Sequence, residues 1–148
     1  MLSALAEIDG NIAGETGIGF LVLLGIKDED TKMEAVKLAE KICNLRIFND
    51  ADEKMNLSIN SVSGDILVVF QFARYADCKS RRLGSSKAAR PEVAIPLYEL
   101  FVNECKNHSG RTVKAGFFGS HMHVESVNDD PVTIILIQQT SDNIYQLN

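Results

Sequence analysis

Two dense apolar runs, Phe20-Leu21-Val22-Leu23-Leu24 and Ile66-Leu67-Val68-Val69-Phe70, constrain this chain most. A bilayer-spanning helix needs about 20 consecutive apolar residues, so neither run crosses a membrane. Gly14 and Gly17 precede the first run, and the Ser63-Gly64-Asp65 turn introduces the second. Short apolar runs bounded by turn residues read as buried strands, and the first is dense enough for burial on both faces.

Other local signals fill in the elements around them. Asp9-Gly10, set between Ala6-Glu7-Ile8 and Asn11-Ile12-Ala13, predicts a tight hairpin. Thr31-Lys32-Met33-Glu34 has the pattern of a capping box, and Met33, Val36, Leu38, Ala39, Ile42 and Cys43 follow at helical spacing. This helix is expected to end near Asn44. Leu45 to Phe48 reads as a short strand, followed by the polar turn Asn49-Asp50-Ala51-Asp52. A second helix is expected over roughly Val93 to Asn107, with its regular part starting near Pro96, because proline deep inside a helix would kink it. Three further strands are expected at Thr112 to Ala115, Met122 to Val127 and Val132 to Ile137. No internal repeat or linker divides the 148 residues. The expected fold is α+β: a single domain over 1–148, mostly antiparallel and barrel-like, with two helices and a frayed tail after about residue 140.

Composition sets limits on function. The hydrophobic fraction is 45% and the charged fraction 24%, ordinary values for a globular chain. No basic segment followed by an apolar stretch opens the sequence, so no signal peptide is expected. Cys43, Cys78 and Cys105 are odd in number and widely spaced, which gives neither a disulfide framework nor a zinc pattern. A reducing, cytoplasmic setting follows. The formal net charge of −5 argues against a protein that coats nucleic acid along its length, which needs a basic face. Contact with one end of an RNA needs far less positive charge.

Read from residue types alone, the chain carries no Gly-x-Ser-x-Gly elbow, phosphate-binding glycine loop or Cys-x-x-Cys pair. His121 and His123 alternate along a strand and could share a metal. No nearby signal supplies a third ligand, so they read as polar strand residues and no metal is expected. His108, at the polar end of the second helix, suits the helix dipole. Cys78 in a polar stretch reads as a free thiol. The basic residues Lys79, Arg81, Arg82 and Lys87 fit either a phosphate-holding loop or a solvated one.

Four segments taken together carry a resemblance. Asn44-Leu45-Arg46-Ile47-Phe48 with Lys54-Met55-Asn56-Leu57-Ser58 resembles the paired signature of the D-aminoacyl-tRNA deacylase family. Phe70-Gln71-Phe72-Ala73-Arg74-Tyr75 is similar to that family's Ser-Gln-Phe-Thr-Leu-Tyr segment, and Asn128-Asp129-Asp130-Pro131-Val132-Thr133 to its Asn-x-Gly-Pro-Val-Thr segment. Phe118-Gly119, Met122 and Val124 fall at matching places, and the match runs to about residue 137.

The resemblance implies a homodimeric, cytoplasmic hydrolase without a cofactor. Its substrate is D-aminoacyl-tRNA, bound by the 3′ acceptor end, and its products are free tRNA and D-amino acid. By motif, Gln71, Phe72 and Ala73 are the catalytic segment, with the Phe72 and Ala73 amides as an oxyanion hole. Asp130 and Pro131 from the other subunit act as a chirality gate. Phe70, Phe118 and Met122 line the substrate pocket, and Lys79, Arg81, Arg82 and Lys87 meet the tRNA phosphates. The sequence departs from the family pattern at Phe70, Ala73, Arg74 and Asp130, where the family has Ser, Thr, Leu and Gly. The alternative reading is a homologue that no longer turns over and serves as a dimeric tRNA-end or nucleotide-binding module.

Overall fold

The protein was analysed as a computed structural model, which describes residues 1–71 and 89–137. In chain order the elements are β1 (Ser3–Ile8), β2 (Asn11–Thr16), β3 (Gly19–Leu24), α1 (Lys32–Asn44), β4 (Arg46–Asn49), β5 (Met55–Ser58), β6 (Asp65–Phe70), α2 (Pro91–Ser109), β7 (Val113–Ala115) and β8 (His123–Val127).

The Asp9-Gly10 turn joins β1 to β2, and its two residues have φ of 50° and 77°. A type I′ hairpin requires this pair of left-handed conformations, and Asp-Gly supplies it with little strain. On its other edge β1 runs antiparallel to β8, from Ser3 opposite Val127 to Glu7 opposite His123. These three strands form one sheet, in the order β2-β1-β8.

The second three-stranded sheet, β3-β6-β7, is wholly parallel. Parallel neighbours need crossover connections, and α1 and α2 lie in them. Strand β6 is buried along almost its whole length. Ile66, Val68 and Phe70 project into the core beneath the helices, while Leu67 and Val69 project towards Ala4 and Ala6 of β1. The β3-β6-β7 sheet is therefore the middle layer between the helices and the β2-β1-β8 sheet. A short β4-β5 hairpin stands apart from both sheets.

The chain is thus a single α+β domain with two helices, but the barrel-like expectation is corrected. Among the described residues no closed barrel forms; the two main sheets pack face to face without a shared ladder. Antiparallel pairing is confined to β1-β2, β1-β8 and β4-β5, while the central pairings are parallel. Burial of Phe20 to Leu24 on both faces is also corrected. Strand β3 is the edge of its sheet, Phe20 to Val22 are half-buried and Leu23 is exposed. The strand expected at Val132 to Ile137 does not form a ladder. The β1-β8 pairing ends at Ser3 opposite Val127, with one further bond from the Leu2 amide to the Val127 carbonyl. Beyond that point the chain has left the β1 edge, and Leu136 packs against the helix-side core instead.

Helix α2 starts at Pro91, earlier than expected, and carries Pro96 within it. Proline at the first helical position gives up no hydrogen bond, and Pro96 is exposed and close enough to the start to be accommodated. At its other end His108 faces Glu104 one turn back, Nε2 to Oε2 3.5 Å, which fits its structural reading.

Helix α1 begins with the expected capping box. Glu34 Oε2 accepts the Thr31 amide at 2.6 Å and also meets the Thr31 hydroxyl. Burial by itself raises the Glu34 carboxyl, but these Thr31 bonds together hold it below the ordinary glutamate range. The stability from a lowered folded-state value is present in full above the unfolded value of about 4.3 and is lost as pH falls further, through the folded value. Replacing Glu34 by Ala is expected to cost about 1 kcal/mol at neutral pH. Urea unfolding at pH 7 and pH 3 checks this, and the difference between the two proteins should shrink at the lower pH.

Candidate active site at the carboxyl ends of the parallel strands

Ligands of open parallel sheets bind outside the carboxyl ends of the strands. Here that edge carries Leu24 of β3, Phe70 of β6 and Ala115 of β7. Immediately after β6, Gln71 is exposed, and its amide donates to the Leu24 carbonyl at 2.9 Å. The ladder thus continues one residue past the strand and fixes the direction in which the chain leaves β6. Phe72 and Ala73 follow in sequence and lie outside the described residues, as do Cys78, Lys79, Arg81, Arg82 and Lys87.

Phe70 points into the helix-side core. Its ring lies 4.3 Å from that of Phe118, tilted by 47°, and 5.9 Å from Tyr98 in an edge-to-face arrangement. Two sequence-predicted site residues, Phe70 and Phe118, are therefore in direct contact. Met122 lies apart from them, beside Gly116, where a Cβ would come within 2.4 Å of its sulfur. With no Cβ at Gly116, the Met122 sulfur can rest close to this backbone. Met122 then packs on the other side against the Leu67 and Val69 cluster.

Tyr98 ties the wall together. Its hydroxyl lies 2.8 Å from the Gly116 carbonyl and 3.1 Å from that of Val68. A phenol has one proton to donate, and the shorter contact goes to Gly116. The Gly116 amide in turn donates to Val68 at 3.0 Å. Burial pushes the Tyr98 phenol up to about 12, so it stays a neutral donor at physiological pH. Sequence reasoning did not single out Tyr98 or Gly116. The only available signal was the place of Tyr98 on the apolar face of α2, which reads equally as core.

Asp130 and Pro131 are exposed beyond the end of β8. They make no hydrogen bond or ion pair with Gln71, Phe70, Phe118 or Met122 within this chain. Asp130 has a φ of 44°, in the left-handed region that glycine occupies freely and aspartate tolerates at a cost. No cis peptide bond occurs among the described residues, so Asp130-Pro131 is trans.

His123 pairs with Glu125, Nε2 to Oε1 3.2 Å, and both side chains are exposed. Among the described residues no group of three or more His, Cys, Asp or Glu side chains is placed to hold a metal. No described helix is long and apolar enough to cross a membrane.

The fold places the chain among two-sheet α+β proteins with a parallel central sheet. More specifically, residues 1–137 match the family model described as D-Tyr-tRNA(Tyr) deacylase, and the chain belongs to that family. It is 49% identical over 135 residues to the D-aminoacyl-tRNA deacylase of Thermosipho africanus, covering 90% of each chain. The same identity and coverage relate it to the D-aminoacyl-tRNA deacylase of Clostridioides difficile. Among solved structures it is similar to the c-Myc DNA Unwinding Element Binding Protein, with TM-score 0.85 and 32% identity over 94% of this chain and 95% of the other.

Proposed function

We propose that this chain hydrolyses the ester bond of D-aminoacyl-tRNA, releasing free tRNA and the D-amino acid. The observation that carries this reading is the family match across residues 1–137, with relatives of 49% identity that bear that name. The site supports it chemically. Ester hydrolysis builds negative charge on the carbonyl oxygen, and fixed backbone amides stabilise that charge without reorganising. In this reading the amides of Phe72 and Ala73 are those donors. They follow Gln71, whose own amide is anchored to Leu24, on the most deeply buried strand of the fold.

No side-chain nucleophile is required, because the 2′-hydroxyl of the terminal adenosine takes part in the chemistry. In this reading Phe118 and Met122 contribute to the adenosine pocket. Lys79, Arg81, Arg82 and Lys87 meet the acceptor-end phosphates, which reconciles the net charge of −5 with an RNA substrate.

The active unit is a homodimer. Asp130 and Pro131 of each subunit, exposed beyond the end of β8, enter the partner's site and exclude L-amino acids by close packing. A second reading is favoured by the likeness to the DNA unwinding element binding protein: the same dimer holding a nucleic-acid end without turnover.

Release of amino acid from D-tyrosyl-tRNA and L-tyrosyl-tRNA separates the two readings. The deacylase reading expects faster loss of the D-ester. It further expects Asp130→Gly to raise that rate roughly threefold to tenfold, about 1 kcal/mol, by removing left-handed strain and a charge beside the phosphates. Binding of uncharged tRNA with no release of either amino acid, in both proteins, establishes the binding module instead.

A further inference from the structure

On the helix side of the central sheet a cavity of about 260 Å³ opens between the first turn of α1, the middle of α2 and the extended stretch 135–137. Its body is apolar, walled by Leu38, Leu97, Phe101 and Leu136. None of Phe70, Gln71, Phe118, Met122, Asp130 or Pro131 lines it. Its polar rim carries Asp30 and Glu34 beside Lys27 and the N-terminus of α1.

The two carboxylates differ in what they can still do. Glu34 is committed to the capping box through Oε2. Asp30 uses Oδ2 to accept the Lys27 amide at 2.8 Å, and no donor among the described residues reaches Oδ1. Removal from water pushes the Asp30 carboxyl up, against the weaker opposing effects of the Lys27 amide and charge. A half-buried carboxylate with a free oxygen at the mouth of an apolar chamber gains most from a charge-assisted hydrogen bond to a cation.

We propose that this cavity binds a small apolar primary amine, with its ammonium on Asp30 Oδ1 and its aliphatic or aryl body among Leu38, Leu97, Phe101 and Leu136. The volume falls just below the range of about 300–1,000 Å³ typical of drug-sized ligands, which fits a molecule of fragment size. Two sources share this chemistry, a simple amine and the amino end of a free apolar amino acid. The inference does not depend on the deacylase reading.

Tyramine titrated into the full chain, followed calorimetrically and by backbone amide NMR, tests it. Saturable binding is expected with a Kd on the order of 0.1–1 mM, with shifts centred on Ala35 and Leu38. The neutral analogue 4-ethylphenol should bind at least tenfold more weakly. Asp30→Asn keeps an oxygen for the Lys27 amide and should weaken tyramine at least tenfold. Ala35→Leu, which fills the chamber from α1, should abolish binding. Competition by D-tyrosine assigns the free amino acid as the source, and its failure to compete assigns carboxylate-free amines; either supports the site. Absence of saturable tyramine binding overturns the proposal, as does equal affinity for 4-ethylphenol. Should Asp30→Asn not fold by circular dichroism, the neutral analogue and Ala35→Leu decide.

Discussion

Replacing Gly19 by Ala is expected to cost at least about 3 kcal/mol, a large share of the stability of a domain this size. Gly19 opens β3 directly opposite Asp65, the first residue of β6. A Cβ built there would lie 1.8 Å from the Asp65 carbonyl oxygen and 2.7 Å from two other Asp65 backbone atoms. Backbone cannot swing aside as a flexible side chain can, so β3 would have to part from β6 at its first rung. The Asp65 amide also donates to the Ile18 carbonyl at 2.8 Å, and the same displacement would strain that bond. The measurement is urea unfolding of both proteins. An unchanged midpoint would mean that the two strands do not approach this closely at their start.

Replacing Phe70 by Ala is expected to cost about 3–5 kcal/mol, the range for emptying a buried aromatic site. Phe70 is 6% exposed, and its neighbour Tyr98 is held by its hydroxyl bonds to Gly116 and Val68, so it cannot close the void. About 0.5–1.5 kcal/mol of the loss belongs to the ring pairs themselves. Phe70→Leu should recover most of the remainder. Thermal or urea unfolding of the two variants checks the order, and near-equal stability would show that the ring is not packed as described. The same void would release one side of Phe118, so Phe70→Ala should also weaken binding of the tRNA end more than its loss of stability accounts for.

The parts of the fold that were legible in the sequence are those governed by contacts a few residues apart. Asp9-Gly10 and Thr31 with Glu34 satisfy their own backbone groups locally, so the hairpin and the start of α1 fall where expected. Strand direction is a different matter. A run such as Ile66 to Phe70 shows that a strand is buried but not which neighbour pairs with it or in which sense. Hence the parallel central sheet was read as part of an antiparallel, barrel-like fold. Val132 to Ile137 has strand composition, but a ladder also needs an edge to pair with, and Leu136 packs on the helix-side core instead. Pro96 misplaced the start of α2 because its cost depends on exposure and on distance from the helix end, which composition does not encode.

The candidate site was legible chiefly through motif resemblance. Gln71, Phe118 and Met122 have no chemistry that marks them by residue type, and the catalytic groups of the proposed mechanism are backbone amides. Asp130 could be singled out because glycine was expected there, and its left-handed backbone gives that expectation a physical basis. Tyr98 and Gly116 escaped notice because their roles arise only where α2 crosses the ends of β6 and β7.

The burial of β6 also bears on the order in which the protein can assemble. Its two parallel partners lie on opposite sides of it in the chain, each separated from it by an intervening helix. Contacts between residues so far apart in sequence incur loop-closure entropy before they return stability, which slows folding. During synthesis β6 emerges after β3 and α1 but before α2 and β7, so it can dock on one edge while its other edge and one of its faces await later segments. Until α2 and β7 have left the ribosome, this buried strand keeps an edge open to pairing with a neighbouring molecule.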